Sequence, residues 1–196
     1  MSAADLRQQA VALVGFMGAG KSAVGERLAA ALALPFVDTD QLIEAAAGPI
    51  PELFAESGEQ GFRALEAQVV TAAIAAAEER PCVLALGGGA VLSCEVRAAL
   101  RRLAHVVWLD APVDVLWARV TAAGTPERPL AGDERAFSVL LEGREPLYRE
   151  VATHVIETGE RPAAAIAAEL AADLLAGPTE GGQADSMSSA AGGRRR

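Results

Sequence analysis

The chain has no asparagine at all and a single lysine, Lys21; every other permanently cationic side chain is arginine. Without asparagine there is no N-K-x-D guanine-reading motif, so a regulatory GTPase is excluded. Aromatic residues make up only 4% of the chain, so a core must be built from Ala, Leu and Val. The two cysteines, Cys82 and Cys94, have neither CxxC nor metal spacing. No disulfide framework is implied, and Cys82, opening an apolar run, reads as a structural thiol in a reducing compartment. No apolar run is long enough to span a bilayer, and the N-terminus lacks a basic stretch followed by an apolar block. A formal charge of -9 with no basic stripe argues against a nucleic-acid partner. What remains is a soluble, cytoplasmic chain with no membrane or nucleic-acid partner, expected to be monomeric. Its 196 residues, 52% of them hydrophobic, suffice for one domain with a sizeable core.

The sole lysine falls inside Gly15-Phe16-Met17-Gly18-Ala19-Gly20-Lys21-Ser22, which fits G-x-x-x-x-G-K-[ST]. Val11-Ala12-Leu13-Val14 before it reads as a buried strand, and Ser22 to Leu34 after it as a helix with Val24, Leu28 and Leu32 on one face. That strand–loop–helix setting is the one the motif needs. Glycines let successive backbone N–H groups turn inward, and the helix N-terminus adds positive potential for phosphate. In such a loop Lys21 reaches the β- and γ-phosphates of ATP and the Ser22 hydroxyl sits on Mg²⁺.

Further along, Phe36-Val37-Asp38 reads as a strand running into Thr39-Asp40. Gln41 to Glu56 reads as helical with a break at Gly48-Pro49 and Pro51, and Glu59 to Glu79 as a long alanine-rich helix. Cys82 to Leu86 predicts a strand closing in Gly87-Gly88-Gly89; Ser93 to Leu103 a helix; His105 to Asp110 a strand. A helix follows Pro112. Residues 122–133, with Gly124, Pro126, Arg128, Pro129 and Gly132, read as a mobile lid. Glu134 to Glu150 predicts a helix interrupted at Pro146, Val151 to Glu157 the last strand and Pro162 to Leu175 the last helix. Residues 1–176 then form one domain, and the Gly/Ser/Ala-rich stretch 177–196 is expected to be a disordered tail. Alternating strands and helices make an α/β fold: a parallel sheet of about five strands with helices on both faces. Ligands in such sheets lie beyond the carboxyl ends of the strands. The phosphate loop, Asp38/Asp40 and Gly87–Gly89 each follow a strand directly, so they share one edge.

Two carboxylates at a strand end suit a kinase, where one holds Mg²⁺ and the other orients or deprotonates the acceptor hydroxyl; equally, Asp-x-Asp caps helices. Three glycines let backbone approach a small ligand, or make a plain tight turn. Arg63, Arg128 and Arg144 are either solvated surface residues or cations that close over transferred phosphate and capture a carboxylate. Glu66, one turn from Arg63, would hold that arginine. His105 and His154 lack ligand-spaced partners and read as structural.

Taken together, GFMGAGKSAVG (Gly15–Gly25), FVDTD (Phe36–Asp40), SGEQGFRALE (Ser57–Glu66), LALGGGAV (Leu84–Val91), RPL (Arg128–Leu130) and REPLYREVA (Arg144–Ala152) resemble shikimate kinase, over roughly residues 10–175. The resemblance implies a P-loop kinase fold with a lid and transfer of the γ-phosphate of ATP to the 3-hydroxyl of shikimate, on the way to chorismate and aromatic amino acids. It implies that Gly18, Ala19, Gly20, Lys21, Ser22 and Ala23 wrap the nucleotide phosphates, that Arg128 reaches them from the lid, and that Arg119 stacks on adenine. It implies Mg²⁺ near Ser22 and Asp38. It gives Asp40 the role of candidate base, with Lys21 and Arg128 as the other catalytic groups. It implies shikimate held by Asp40, Arg63, Arg144 and the backbone of Gly87, Gly88 and Gly89. Two departures are visible: Ala23 stands where the family often has Thr, and Gly61 where it usually has an acid or polar residue. A kinase of another polyol acid such as gluconate, a nucleoside monophosphate kinase, and a catalytically silent ATP-binding protein are the competing readings.

Overall fold

Val11–Val14 (β1) is buried at every position, the signature of a parallel strand covered on both faces. The computed structural model describes residues 8–122 and 133–176. Lys21–Leu32 (α1) follows the phosphate loop and ends on Ala33 in the left-handed region. Phe36–Asp38 (β2) leads into Thr39–Ala47 (α2) and then Ile50–Glu79 (α3). Val83–Ala85 (β3), a single 3₁₀ turn at Ala90–Leu92 and Cys94–Leu100 (α4) precede His105–Asp110 (β4). Val113–Ala122 (α5), Glu134–Val151 (α6), His154–Glu157 (β5) and Ala163–Ala176 (α7) complete the described chain.

The sheet is five-stranded in the order β2-β3-β1-β4-β5, and every pairing is parallel. From β1 the chain steps outward to β2, returns to β3, then crosses β1 to reach β4. Because such crossovers are right-handed, this reversal puts α1 on the opposite face from α3 and α4. The packing agrees: α7 lies along α1, while α4 contacts both α3 and α6. The reversal also opens a crevice between the carboxyl ends of β1 and β3, where α/β sheets bind ligands. The core is almost entirely aliphatic, with Leu13, Leu28, Ile74, Leu84 and Leu100 sealed from solvent; each such side chain contributes about 1.5–3 kcal/mol by leaving water.

Three expectations need correction. First, the break expected at Gly48-Pro49 is there, between α2 and α3, but Pro51 marks no further break: it sits in the first turn of α3. The real break inside α3 is Gly58, at φ 67° and ψ 179°, a backbone that L side chains rarely adopt. The chain folds back there, stacking Phe54 on Phe62 with ring centroids 4.3 Å apart. Second, Pro146 does not interrupt α6. Phe137, Arg144, Tyr148 and Val151 are buried along one face, whereas Pro146 and Glu142, whose carbonyl loses its donor, lie on the exposed side. Packing of that face outweighs one missing hydrogen bond. Third, Val151 closes α6 instead of opening β5. The lid stretch 123–132, including Arg128, and the tail 177–196 lie outside the described residues.

Candidate active site

The phosphate loop leaves β1 through Gly15 and enters α1 at Gly20, and its shape depends on glycine at two close approaches. A Cβ on Gly15 would lie 2.6 Å from the Leu109 carbonyl oxygen, and one on Gly18 would lie 2.8 Å from that of Leu116; both have positive φ. Lys21 Nζ donates to the carbonyls of Gly15 at 2.9 Å and Phe16 at 3.1 Å, so the amine is held across the loop. Arg119, from α5, donates to the Gly18 carbonyl at 3.2 Å and to that of Gly159. It thus sits against the phosphate loop. Ala19 is buried in the loop wall, and Ala23 is exposed on the first turn of α1.

Ser22 Oγ donates to Asp38 Oδ2 at 2.6 Å, while Asp38 Oδ1 accepts from the Asp40 N–H at 3.0 Å. Asp38 is therefore both things the sequence allowed: the N-cap of α2 and a carboxylate touching the phosphate-loop hydroxyl. Two hard oxygen ligands side by side at the end of the loop fit Mg²⁺, which keeps several waters and takes the rest of its shell from phosphate. Among the described residues no cluster of three or more His, Cys, Asp or Glu competes as a protein-only cage. Between the aspartates, Thr39 is fully buried, and its Oγ1 accepts the Gly87 N–H at 3.0 Å.

That bond ties the start of α2 to the glycine loop after β3, around which the remaining expected groups collect. A Cβ on Gly87 would lie 2.5 Å from Asp40 Oδ1 and 2.8 Å from Glu66 Oε1; one on Gly89 would overlap the Arg63 guanidinium. A Cβ on Gly88 would lie 3.3 Å from the Met17 amide nitrogen, so the two glycine-rich loops touch. Arg63 pairs with Glu66 at 2.6 Å and with Glu59 at 3.6 Å, and its guanidinium lies over Phe54 and Phe62. Burial pushes the Glu66 carboxyl above its ordinary value; the Arg63 charge and hydrogen bond oppose this, and the nearby Asp40 charge adds to it.

Arg144 is only 4% exposed, reaches the Gly88 carbonyl at a long 3.5 Å and lies 5.2 Å above the Phe16 ring. None of the ion pairs among the described residues includes it. A buried guanidinium without a carboxylate costs several kcal/mol unless an anion arrives. The arrangement thus has a cationic phosphate loop on one side of the crevice. On the other, two arginines, the Asp40 and Glu66 carboxylates and bare backbone collect around Gly87–Gly89.

The structure brings together Gly18, Ala19, Gly20, Lys21, Ser22, Asp38, Asp40, Arg63, Gly87, Gly88, Gly89, Arg119 and Arg144. It also adds Thr39 and Tyr148, which sequence reasoning passed over; Tyr148 Oη donates to the Gly88 carbonyl at 2.6 Å. Elsewhere, Cys82 is buried with its thiol pushed up by burial, which fits an inert structural role, and Cys94 is exposed.

A family model described as shikimate kinase matches residues 17–175. The shikimate kinase of Symbiobacterium thermophilum is 44% identical over 164 residues, covering 82% of this chain and 92% of its own length. That of Pseudomonas syringae pv. tomato is 46% identical over 166 residues, covering 83% and 94%. Among solved structures, shikimate kinase from Acinetobacter baumannii in complex with shikimate aligns with a TM-score of 0.78 at 36% identity, over 86% of this chain and 94% of that one. The Aquifex aeolicus enzyme aligns with a TM-score of 0.74 at 30% identity, over 88% and 99%. With the family model spanning most of the chain, the fold shared and nearly the full length of these enzymes matched, the chain belongs to the shikimate kinase family.

Proposed function

We propose that the chain transfers the γ-phosphoryl group of ATP to the 3-hydroxyl of shikimate. The observation that carries this reading is the glycine loop Gly87–Gly89, flanked by Arg63, Arg144 and Asp40 and touching the phosphate loop through Gly88. Arg144 and Arg63 hold the acceptor carboxylate, which replaces the partner Arg144 lacks and offers the planar match a guanidinium favours. Asp40 faces the acceptor hydroxyls and is the candidate base. It stands two residues from the Asp38 cap, so α2 aims it at the loop. Lys21, fixed across two loop carbonyls, faces the β- and γ-phosphates, and the amides of Gly18, Ala19, Gly20, Ser22 and Ala23 line the phosphate cradle. Ser22 and Asp38 hold Mg²⁺, which when bound neutralises charge on the β- and γ-phosphate oxygens. Arg119 borders the nucleotide from α5. Arg128 and the stretch around it would close over both substrates and keep water from ATP. We read the protein as a cytoplasmic monomer; no described helix is long and apolar enough to cross a membrane.

The test is ADP release with shikimate, gluconate and nucleoside monophosphates compared side by side under Mg²⁺-ATP. Turnover with shikimate at least a hundredfold above the others is expected. Equal or greater turnover with gluconate would transfer the acceptor assignment to another polyol acid, and ATP binding without turnover on any of them would make the chain a non-catalytic binder.

A further inference from the structure

We propose that Tyr148 is a positioning residue of the acceptor site: its hydroxyl sets the Gly88–Gly89 peptide and leaves Arg144 available to the acceptor carboxylate. The proposal rests on the reading of Arg144 and the glycine loop given above. Tyr148 stands one helical turn after Arg144 on α6, so the two side chains share a face and converge on the same atom. That atom is the Gly88 carbonyl oxygen, which takes a short 2.6 Å bond from Tyr148 Oη and only a 3.5 Å contact from Arg144 Nη1. The tyrosine supplies the short bond to the carbonyl and also faces the Arg144 guanidinium, which is left only a long contact there.

A trans peptide points its C=O and its following N–H in opposite directions. Fixing the Gly88 carbonyl toward α6 therefore fixes the Gly89 N–H away from it. The other loop bonds leave this peptide to Tyr148: Thr39 holds the Gly87 N–H, Ala90 N–H bonds the Gly87 carbonyl, and Leu92 N–H bonds that of Gly89. Neither Gly88 N–H nor Gly89 N–H bonds another described residue, so both remain for a ligand. The phenol is itself well supported. It is 1% exposed, its ring lies nearly parallel to Trp108 at 6.1 Å, and burial pushes its ionisation far above the ordinary tyrosine value, so it stays a donor at any working pH. Two flanking glycines have no side chains to resist rotation of that peptide, which is why a dedicated donor matters here.

Without the hydroxyl, the Gly88 carbonyl turns to its remaining neighbour. Arg144 closes onto it and competes with the acceptor, while the phosphate loop is untouched. The experiment measures KM for shikimate, KM for ATP, kcat and Tm in Tyr148→Phe, Arg144→Met and the double variant, all as full chains. Tyr148→Phe should raise the shikimate KM about five- to twentyfold, the loss of one to two buried hydrogen bonds. The ATP KM should stay within about twofold. In the Arg144→Met background the tyrosine effect should shrink severalfold, because the cation it protects is gone. Equal effects on both KM values, or full additivity in the double variant, would make Tyr148 merely structural and overturn the proposal. So would an unchanged shikimate KM in Tyr148→Phe beside a large rise in Arg144→Met. If neither single variant moves that KM, the acceptor-site reading fails as well.

Discussion

Replacing Arg144 by methionine should weaken the enzyme's grip on its acceptor while leaving the folded chain as stable or more so. Arg144 is buried to 4% exposure, and its contact with the Gly88 carbonyl, at 3.5 Å, is too long to repay the loss of water around a guanidinium. An unpaired buried cation costs several kcal/mol even after relaxation. Against this stands its placement over Phe16, worth about 0.5–2 kcal/mol. Methionine keeps much of the volume, packs on aromatic rings and carries no charge. The balance favours the variant by about 1 kcal/mol, or roughly 2–4 °C in Tm for a domain of this size. Substrate reverses the sign. Truncating one partner of a buried hydrogen-bonded charge pair costs about 2–5 kcal/mol, so kcat/KM for shikimate should fall by roughly 30-fold to a few thousandfold at about 1.4 kcal/mol per decade. Steady-state kinetics with each substrate varied in turn, and thermal melts with and without shikimate, read both effects. Added shikimate should raise the wild-type Tm by mass action and barely move that of the variant. A variant that melts many degrees lower yet keeps its shikimate KM would refute the argument, since Arg144 would then hold the fold and not the ligand.

Gly87→Ala tests the other side of the loop: its Cβ would lie 2.5 Å from Asp40 Oδ1, so the carboxylate must move by several tenths of an ångström. Misplacing the candidate base by that much should lower kcat by about a hundredfold; a kcat within about threefold of wild type would show that Asp40 is not poised from this position. A third prediction concerns pH. His105 and His154 lie with ring centroids 5.6 Å apart below the sheet's other edge, and burial lowers both from the ordinary 6.5, with the neighbouring imidazole adding to the effect on His105 and Asp173 opposing it on His154. A folded value below the unfolded one means the unfolded chain takes up protons first, so stability present above about pH 6.5 is lost as pH falls toward the folded values. Glu66 and Asp110, both raised by burial, act in the opposite sense at lower pH, so the difference profile of wild type against His105→Leu isolates the imidazole. Parallel denaturant curves of the two proteins between pH 7.5 and 5.5, within about 0.3 kcal/mol of a constant offset, would refute the coupling.

What the sequence disclosed and what it hid divide along chain distance. The phosphate loop, β1, β2, β4 and the pairing of a strand with each glycine or aspartate cluster were readable because the signal is local: a motif, an apolar run, a turn residue. The interruption at Pro146 was misread because proline is a local breaker, whereas the α6 face that overrides it is held by tertiary burial of Phe137, Arg144, Tyr148 and Val151. Gly58 falls in the gap between the helices expected over 41–56 and 59–79, but nothing local in the sequence tells that it takes the left-handed backbone there. Thr39 and Tyr148 act on the glycine loop from 48 and 60 residues away, and neither belongs to a residue class that sequence patterns flag. Only a buried hydroxyl directly after a strand, or one turn from a candidate arginine, hints at such a role. Both hints are too common to act on without coordinates.

The arginines raise the question of how a chain of charge -9 concentrates positive potential where two anions must meet. The answer lies in what each cation bonds. Arg97, Arg101, Arg102, Arg149 and Arg161 pair with Glu150, Glu78, Glu145 or Glu169 away from the crevice, and those carboxylates cancel them. Within the crevice, Arg119 donates to the carbonyls of Gly18 and Gly159, and Arg144 reaches that of Gly88 at 3.5 Å. A carbonyl dipole orients a cation without neutralising it, so its charge stays free to act on phosphate or carboxylate. Arg63 is the exception, sharing Glu66 and Glu59, and its charge opposes the burial that pushes the Glu66 carboxyl up. Spacing alone made all these arginines look equivalent; the identity of the acceptor atom separates those that build the fold from those that serve the reaction.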